Sequence, residues 1–185
     1  MHMLALALQY CSHEHETALP LFEECLAVTR RVVGDEHPNT LAIIANLATV
    51  HCAMDNLEQA LTLGNEAFVI RRRTLGRKHP DTLVSICNLA AVHCTAHNYD
   101  LALPLFEEAL DARRRTLGNQ HVTTLSSINN LGVVHAQVGE LAEAVTLLHE
   151  AVTGYRRVLG EEHPETRRAV ENLRVWSQKM EGDLA

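Results

Sequence analysis

The chain has 185 residues, a formal net charge of −7, 46% hydrophobic residues and only 4% aromatic ones. This is the balance of a folded protein whose core is Leu, Ala, Val and Ile, and the negative charge excludes a nucleic-acid binder without a local basic face. Five Cys, an odd number, set out no disulfide framework, so reduced thiols and a cytoplasmic setting are expected.

Taken in chain order, the apolar start Met1-His2-Met3-Leu4-Ala5-Leu6-Ala7-Leu8 lacks a positive leader and is too short for a signal or membrane span. From there a step of 42 residues governs everything. His37, His79, His121 and His163 keep it, as do Gly34, Gly76, Gly118 and Gly160. Thr40, Thr82, Thr124 and Thr166 follow the same step, with Asn46, Asn88, Asn130 and Asn172 and the Leu after each. In the second half of the unit Ala18, Ala60, Ala102 and Ala144 recur likewise. Such a period marks stacked supersecondary units. The expected organisation is a partial repeat over 1–33, full repeats over 34–75, 76–117 and 118–159, a capping helix over 160–180 and a tail over 181–185.

Each unit reads as two helices. In the second full repeat, Gly76-Arg77-Lys78-His79-Pro80 is a loop that leads into a helix with Pro at or near its first position. Leu83, Ile86, Leu89, Ala90 and His93 then fall at helical spacing, predicting a helix A to about Ala96. After a turn at His97-Asn98, a helix B is predicted from about Tyr99 to Leu117. Its last turn carries Arg113-Arg114-Arg115, which suit a helix C-terminus, and Gly118 stops it. The last helix A is more polar than its counterparts, as an end cap should be. The start has no such cap, so Leu4, Leu6 and Leu8 are expected to pair with a second copy or to belong to a longer array.

Small and large residues alternate in these helices in the tetratricopeptide (TPR) manner. Ile44-Leu47-Ala48-His51, Ile86-Leu89-Ala90-His93 and Ile128-Leu131-Gly132-His135 occupy the helix A places. Ala60, Ala102 and Ala144 take the first small place on helix B, and Phe22 and Phe106 take the Phe place. With its extended helix B and Gly-x-x-His-Pro loop, the unit resembles the 42-residue TPR repeats of kinesin light chains. The resemblance implies an all-α fold, an α-solenoid wound as a right-handed superhelix, that binds proteins and is not an enzyme. It also implies a concave groove lined by the A helices, holding an extended peptide of a partner in an adaptor or scaffold role. Asn46, Asn88, Asn130 and Asn172 would face that groove, joined by Asn129 where the sequence reads Asn-Asn-Leu. An amide with two donors and an acceptor can hold peptide backbone without reading side chains. The alternative is a self-assembling scaffold, a homodimer through the N-terminal half-repeat.

Further along the same wall lie Thr49, Ala91 and Val133, then Cys52, Cys94 and Ala136, and then Ala53, Thr95 and Gln137. This small-residue trough suits apolar peptide side chains, and Arg174 is the first basic residue beside it. His37, His79, His121 and His163 read as loop and cap residues; His51, His93 and His135, at the Tyr place, read as core. No metal or other cofactor is expected, because neighbouring repeats stand at helix-packing distance, roughly 10 Å, and Zn needs ligands converging at about 2.0–2.3 Å. An Arg ridge (Arg30-Arg31, Arg71-Arg72-Arg73, Arg113-Arg114-Arg115, Arg156-Arg157) reads as dipole complementation and pairing with Glu66, Glu108 and Glu150, or as a second contact surface. No phosphate loop, nucleophile elbow or HExxH motif is present, and neither nucleic acid nor membrane is expected as a partner.

Overall fold

The His-Pro loops that carry the period are helix starts. His37, His79 and His121 hold extended backbone, and each ring Nδ1 accepts from the N–H two residues on: Asn39 at 3.1 Å, Asp81 at 3.2 Å and Thr123 at 3.2 Å. Glu165 N–H donates in the same way to His163, at 3.2 Å. Each imidazole thus satisfies an N–H that the helix itself leaves without a partner. Pro38, Pro80 and Pro164 follow as first helical residues, where the missing N–H costs nothing.

A computed structural model describes residues 15–183. Among them run α1 (His15–Val33), α2 (Pro38–Ala53), α3 (Leu57–Leu75), α4 (Pro80–Thr95), α5 (Tyr99–Leu117), α6 (Val122–Gln137), α7 (Leu141–Leu159) and α8 (Pro164–Asp183). The helices starting at His-Pro loops, or at His121-Val122, are the A helices α2, α4, α6 and α8; α1, α3, α5 and α7 are B helices. Leu4, Leu6 and Leu8, on which the dimer reading rests, lie outside the described residues. Helix α8 continues through 181–183, residues expected to be tail.

Two kinds of turn alternate. After α2, α4 and α6 the residue in the left-handed region is Asp55 (φ 60°), His97 (φ 57°) or Gly139 (φ 90°). The next N–H reaches back to the carbonyl of His51 (2.9 Å), His93 (2.8 Å) or His135 (2.9 Å), the Schellman closure of a helix end. After the B helices, Gly76, Gly118 and Gly160 stand at φ 83–87°. A Cβ there would meet nothing within 4 Å, so the backbone angle, not space, calls for glycine.

The described chain forms two compact units, one ending at Asn98 and the other beginning at Tyr99. In the first, Ala18, Phe22, Cys25 and Leu26 of α1 pack with Leu41, Ile44, Leu47 and Val50 of α2, and Ala67 joins from α3. In the second, Leu125, Ile128, Leu131 and Val134 of α6 are buried, as are Leu147, Leu148, Ala151, Val152 and Tyr155 of α7 and Ala169 of α8. Each unit also contains a buried arginine joining a B helix to the next A helix. Arg71 and Arg113, each 8% exposed, donate through Nη1 to Ser85 Oγ (2.7 Å) and Ser127 Oγ (2.6 Å). The same Nη1 atoms reach the carbonyls of Asp81 (3.4 Å) and Thr123 (3.3 Å). Burial pulls the Arg71 guanidinium below its ordinary range, opposed by the Asp81 carboxylate; charge-assisted bonds compensate what a buried cation loses in solvation.

Candidate functional site

Asn46, Asn88, Asn130 and Asn172 occupy one register on α2, α4, α6 and α8, and all four are half-buried. Thr49, Thr95, Gln137 and Arg174 are exposed. Asn129 differs: it is 3% exposed, and its Oδ1 accepts from Asn172 Nδ2 at 3.2 Å. Part of the hydrogen-bonding capacity of both amides therefore joins α6 to α8. Arg174 bonds Glu171 through Nε (2.9 Å) and Nη2 (2.6 Å) and Gln178 through Nη1 (3.2 Å). Those bonds hold the Glu171 carboxyl below its ordinary range and raise the guanidinium. Arg174 is thus a paired cation, not an open anion receptor.

In the first unit α2, α3 and α4 enclose a pocket of about 150 Å³. Ala45, Ala48, Thr49 and Cys52 line it from α2, and Ser85, Asn88, Ala91, Val92 and Thr95 from α4. Gly64 and Ala67 of α3 form the rest of the wall. The hydroxyls of Thr49 and Thr95 donate to the carbonyls of Ala45 (3.1 Å) and Ala91 (3.2 Å), and the Cys52 thiol donates to Thr95 Oγ1 (3.5 Å). Ser85 receives Arg71. The polar groups of the wall are largely occupied, and the Asn88 amide stands among them. Of the trough residues expected on α2 and α4, Thr49, Cys52, Ala91 and Thr95 line this pocket and Ala53 and Cys94 do not, and its Gly64–Ala67 wall is not apparent from the A helices. One signal could have found it: the 42-residue step places Gly64 where Phe22, Phe106 and Leu148 stand.

The arginine ridge resolves into buried and paired groups. Beyond Arg71 and Arg113, Arg30 pairs with Asp35 (3.0 Å) and with Glu66. Arg73 pairs with Glu36 (2.6 Å), Arg114 with Glu150 (2.9 Å), Arg115 with Asp111 (2.9 Å) and Arg156 with Glu161 (3.0 Å). The Arg30–Glu66 and Arg114–Glu150 pairs link successive B helices within their units, so the ridge is largely neutralised.

The histidines at the Tyr place are packing groups. Nδ1 of His51 and of His93 is buried with no hydrogen-bond partner among the described residues, and burial lowers the His93 pKa, favouring the neutral ring. His135 Nδ1 instead meets Glu140 Oε2 at 2.5 Å. Burial pushes the Cys94 thiol up to about 11, which makes it a poor nucleophile and ligand. Among the described residues no group of three or more His, Cys, Asp or Glu is placed to hold a metal ion. No described helix is long and apolar enough to cross a membrane.

Comparison with known proteins agrees with the fold. Residues 1–68, 40–115, 84–151 and 123–173 match the tetratricopeptide repeat family model. The crystal structure of nearly identical TPR-like repeats of a kinesin light chain-like protein from Podosopora anserina superposes with a TM-score of 0.80. It is 28% identical, over 96% of this chain and 83% of that one. The crystal structure of BtubC from P. vanneervenii gives a TM-score of 0.76 at 20% identity, over 90% of this chain and 66% of that one, and shares the fold. Comparison with curated proteins finds no match.

Proposed function

Because the chain belongs to the tetratricopeptide repeat family, whose repeats are in general protein–protein interaction modules, we propose that it is a non-catalytic adaptor or scaffold that holds an extended segment of a partner protein along the A helices of each unit. The observation that carries this reading is the register of half-buried Asn46, Asn88, Asn130 and Asn172. A half-buried amide keeps donors and an acceptor for peptide backbone while its surroundings exclude water, which strengthens each bond. Thr49 and Thr95 supply adjoining surface in the first unit; Gln137 and Arg174 do so in the second. Asn129 contributes by orienting Asn172, and the Arg174–Glu171 pair offers a charge-balanced rim.

Polyanions fit poorly as partners, given a net charge of −7 and ridge arginines already engaged. A cytoplasmic setting is part of the proposal, supported by Cys25, Cys52 and Cys94, which carry thiols and not disulfides. The test is an array of short peptides probed with the intact chain and with an Asn88→Ala/Asn130→Ala variant. Selective hits are expected for the parent, and these weaken about tenfold or more in the variant as backbone bonds are lost. Hits indifferent to both substitutions would sink the Asn ladder as the binding element.

A further inference from the structure

The pocket beside Gly64 opens at a register where other B helices carry a large side chain. The repeat step aligns Gly64 with Phe22, Phe106 and Leu148, which are 0%, 2% and 0% exposed. Each of those side chains fills the space that its helix B turns toward neighbouring helices. Gly64 has no side chain to do so; Leu89 Cδ1 stands 3.4 Å from where its Cβ would lie, and about 150 Å³ stays open among α2, α3 and α4. An apolar cavity of that size accepts a benzene-sized group, as an engineered cavity in an unrelated protein does. Here Thr49, Ala91 and Thr95 on the wall are exposed, so the space is reached from outside.

We propose that this pocket is a specificity site that takes one leucine- or phenylalanine-sized apolar side chain from the partner's extended segment. The proposal rests on the peptide-holding reading given above and names what that segment must carry. Three features set the chemistry. The volume matches the Phe or Leu that the other repeats place at this register. No charged residue lines the pocket, and Thr49, Thr95, Cys52 and Ser85 already have hydrogen bonds. A polar or charged side chain would therefore lose its hydration uncompensated. Asn88 lines the same pocket, so an amide able to hold the ligand's backbone stands beside the slot for its side chain.

The experiment screens short random peptides against the intact chain, Gly64→Leu, Gly64→Ala and Asn88→Ala, with helix content followed by circular dichroism. Hits for the parent are expected to share one Leu or Phe whose replacement by Ala weakens Kd about tenfold or more. Gly64→Leu, which fills the slot from within, is expected to abolish those hits with helix content retained. Gly64→Ala, whose Cβ would lie 3.4 Å from Leu89 Cδ1 in ordinary contact, is expected to weaken them partially. Should Gly64→Leu fail to fold, the Gly64→Ala variant and the Leu/Phe→Ala peptides decide the matter. Hits lost in Asn88→Ala but unmoved at Gly64, or hits sharing no apolar residue, overturn the pocket and leave the peptide-holding reading intact. An absence of hits for the parent overturns both.

Discussion

The same three-helix motif lies once wholly within each compact unit, with opposite packing solutions. In α6–α7–α8, Leu148 is fully buried against Gly132, where an added Cβ would stand only 2.9 Å from Leu148 Cγ and 3.2 Å from Leu147 Cβ. In α2–α3–α4 the corresponding places hold Gly64 and Ala48. A large residue on helix B and glycine on helix A close the first set; two small residues leave the second open. Further replacements run the same way: Asn129 for Ala45, Val175 for Ala91, Trp176 for Val92 and Lys179 for Thr95. The Lys179 ammonium lies 5.2 Å from the Trp176 ring centroid. One repeat pattern thus yields a filled joint or a cavity, according to how volume is shared between facing helices.

The sharpest way to break this comparison is to open the closed set. Leu148→Ala is expected to lower stability by about 3 kcal/mol, combining lost burial with a new cavity beside Gly132, measured by urea unfolding of the intact chain. A cost under about 1 kcal/mol would mean that the filled joint collapses readily and the two sets differ little.

Next in size are the buried arginines, which occur in both units. Ser85→Ala and Ser127→Ala should each cost about 1–2 kcal/mol, because a buried donor loses its acceptor. Adding Arg113→Met to Ser127→Ala should recover much of that loss; a purely additive double variant would deny the bond its role.

A single substitution should change sign between the sets. Gly64→Ala gains helix propensity and meets only an ordinary contact, so it should stabilise by about 0.5–1 kcal/mol. Gly132→Ala forces Leu148 and Leu147 aside and should destabilise by about 1 kcal/mol net. Thermal melts that moved in the same direction would remove the contrast.

The smallest effect is acid-dependent and sharpens the picture of the first unit. Burial lowers the His93 pKa from its ordinary 6.5. The unfolded chain therefore binds this proton before the folded one does, and the associated stability is present above pH 6.5 and lost as pH falls toward the folded value. Melting of the parent at pH 5.5 against 7.5 should show a larger drop than melting of His93→Leu; equal drops would assign the acid sensitivity elsewhere.

Much of the fold was legible because its signals are local. Capping histidines, prolines at helix starts and glycines after the B helices act within a few residues, so period and loop chemistry suffice to read them. Burial of Arg71 was harder, since Arg71, Arg72 and Arg73 look alike in sequence. The helical phase separates them: Ala60, Gly64, Ala67 and Arg71 lie on one stripe, and only Arg71 of the three is buried. Asn129 stands beside half-buried Asn130 in the sequence yet is itself buried, and its partner Asn172 comes from a helix 43 positions away, which no local pattern reveals. The pocket lay between these cases, legible from the Gly64–Phe22–Phe106–Leu148 register yet invisible to a reading confined to the A helices.

The histidine caps carry a consequence for spectroscopy. Each of His37, His79, His121 and His163 accepts an N–H through Nδ1, so in the neutral ring the proton resides on Nε2. Four rings in four separate loops are thereby held in one tautomer. In a long-range nitrogen–proton correlation spectrum they should fall into a single pattern, the repeat period of the chain written as coincident nitrogen chemical shifts.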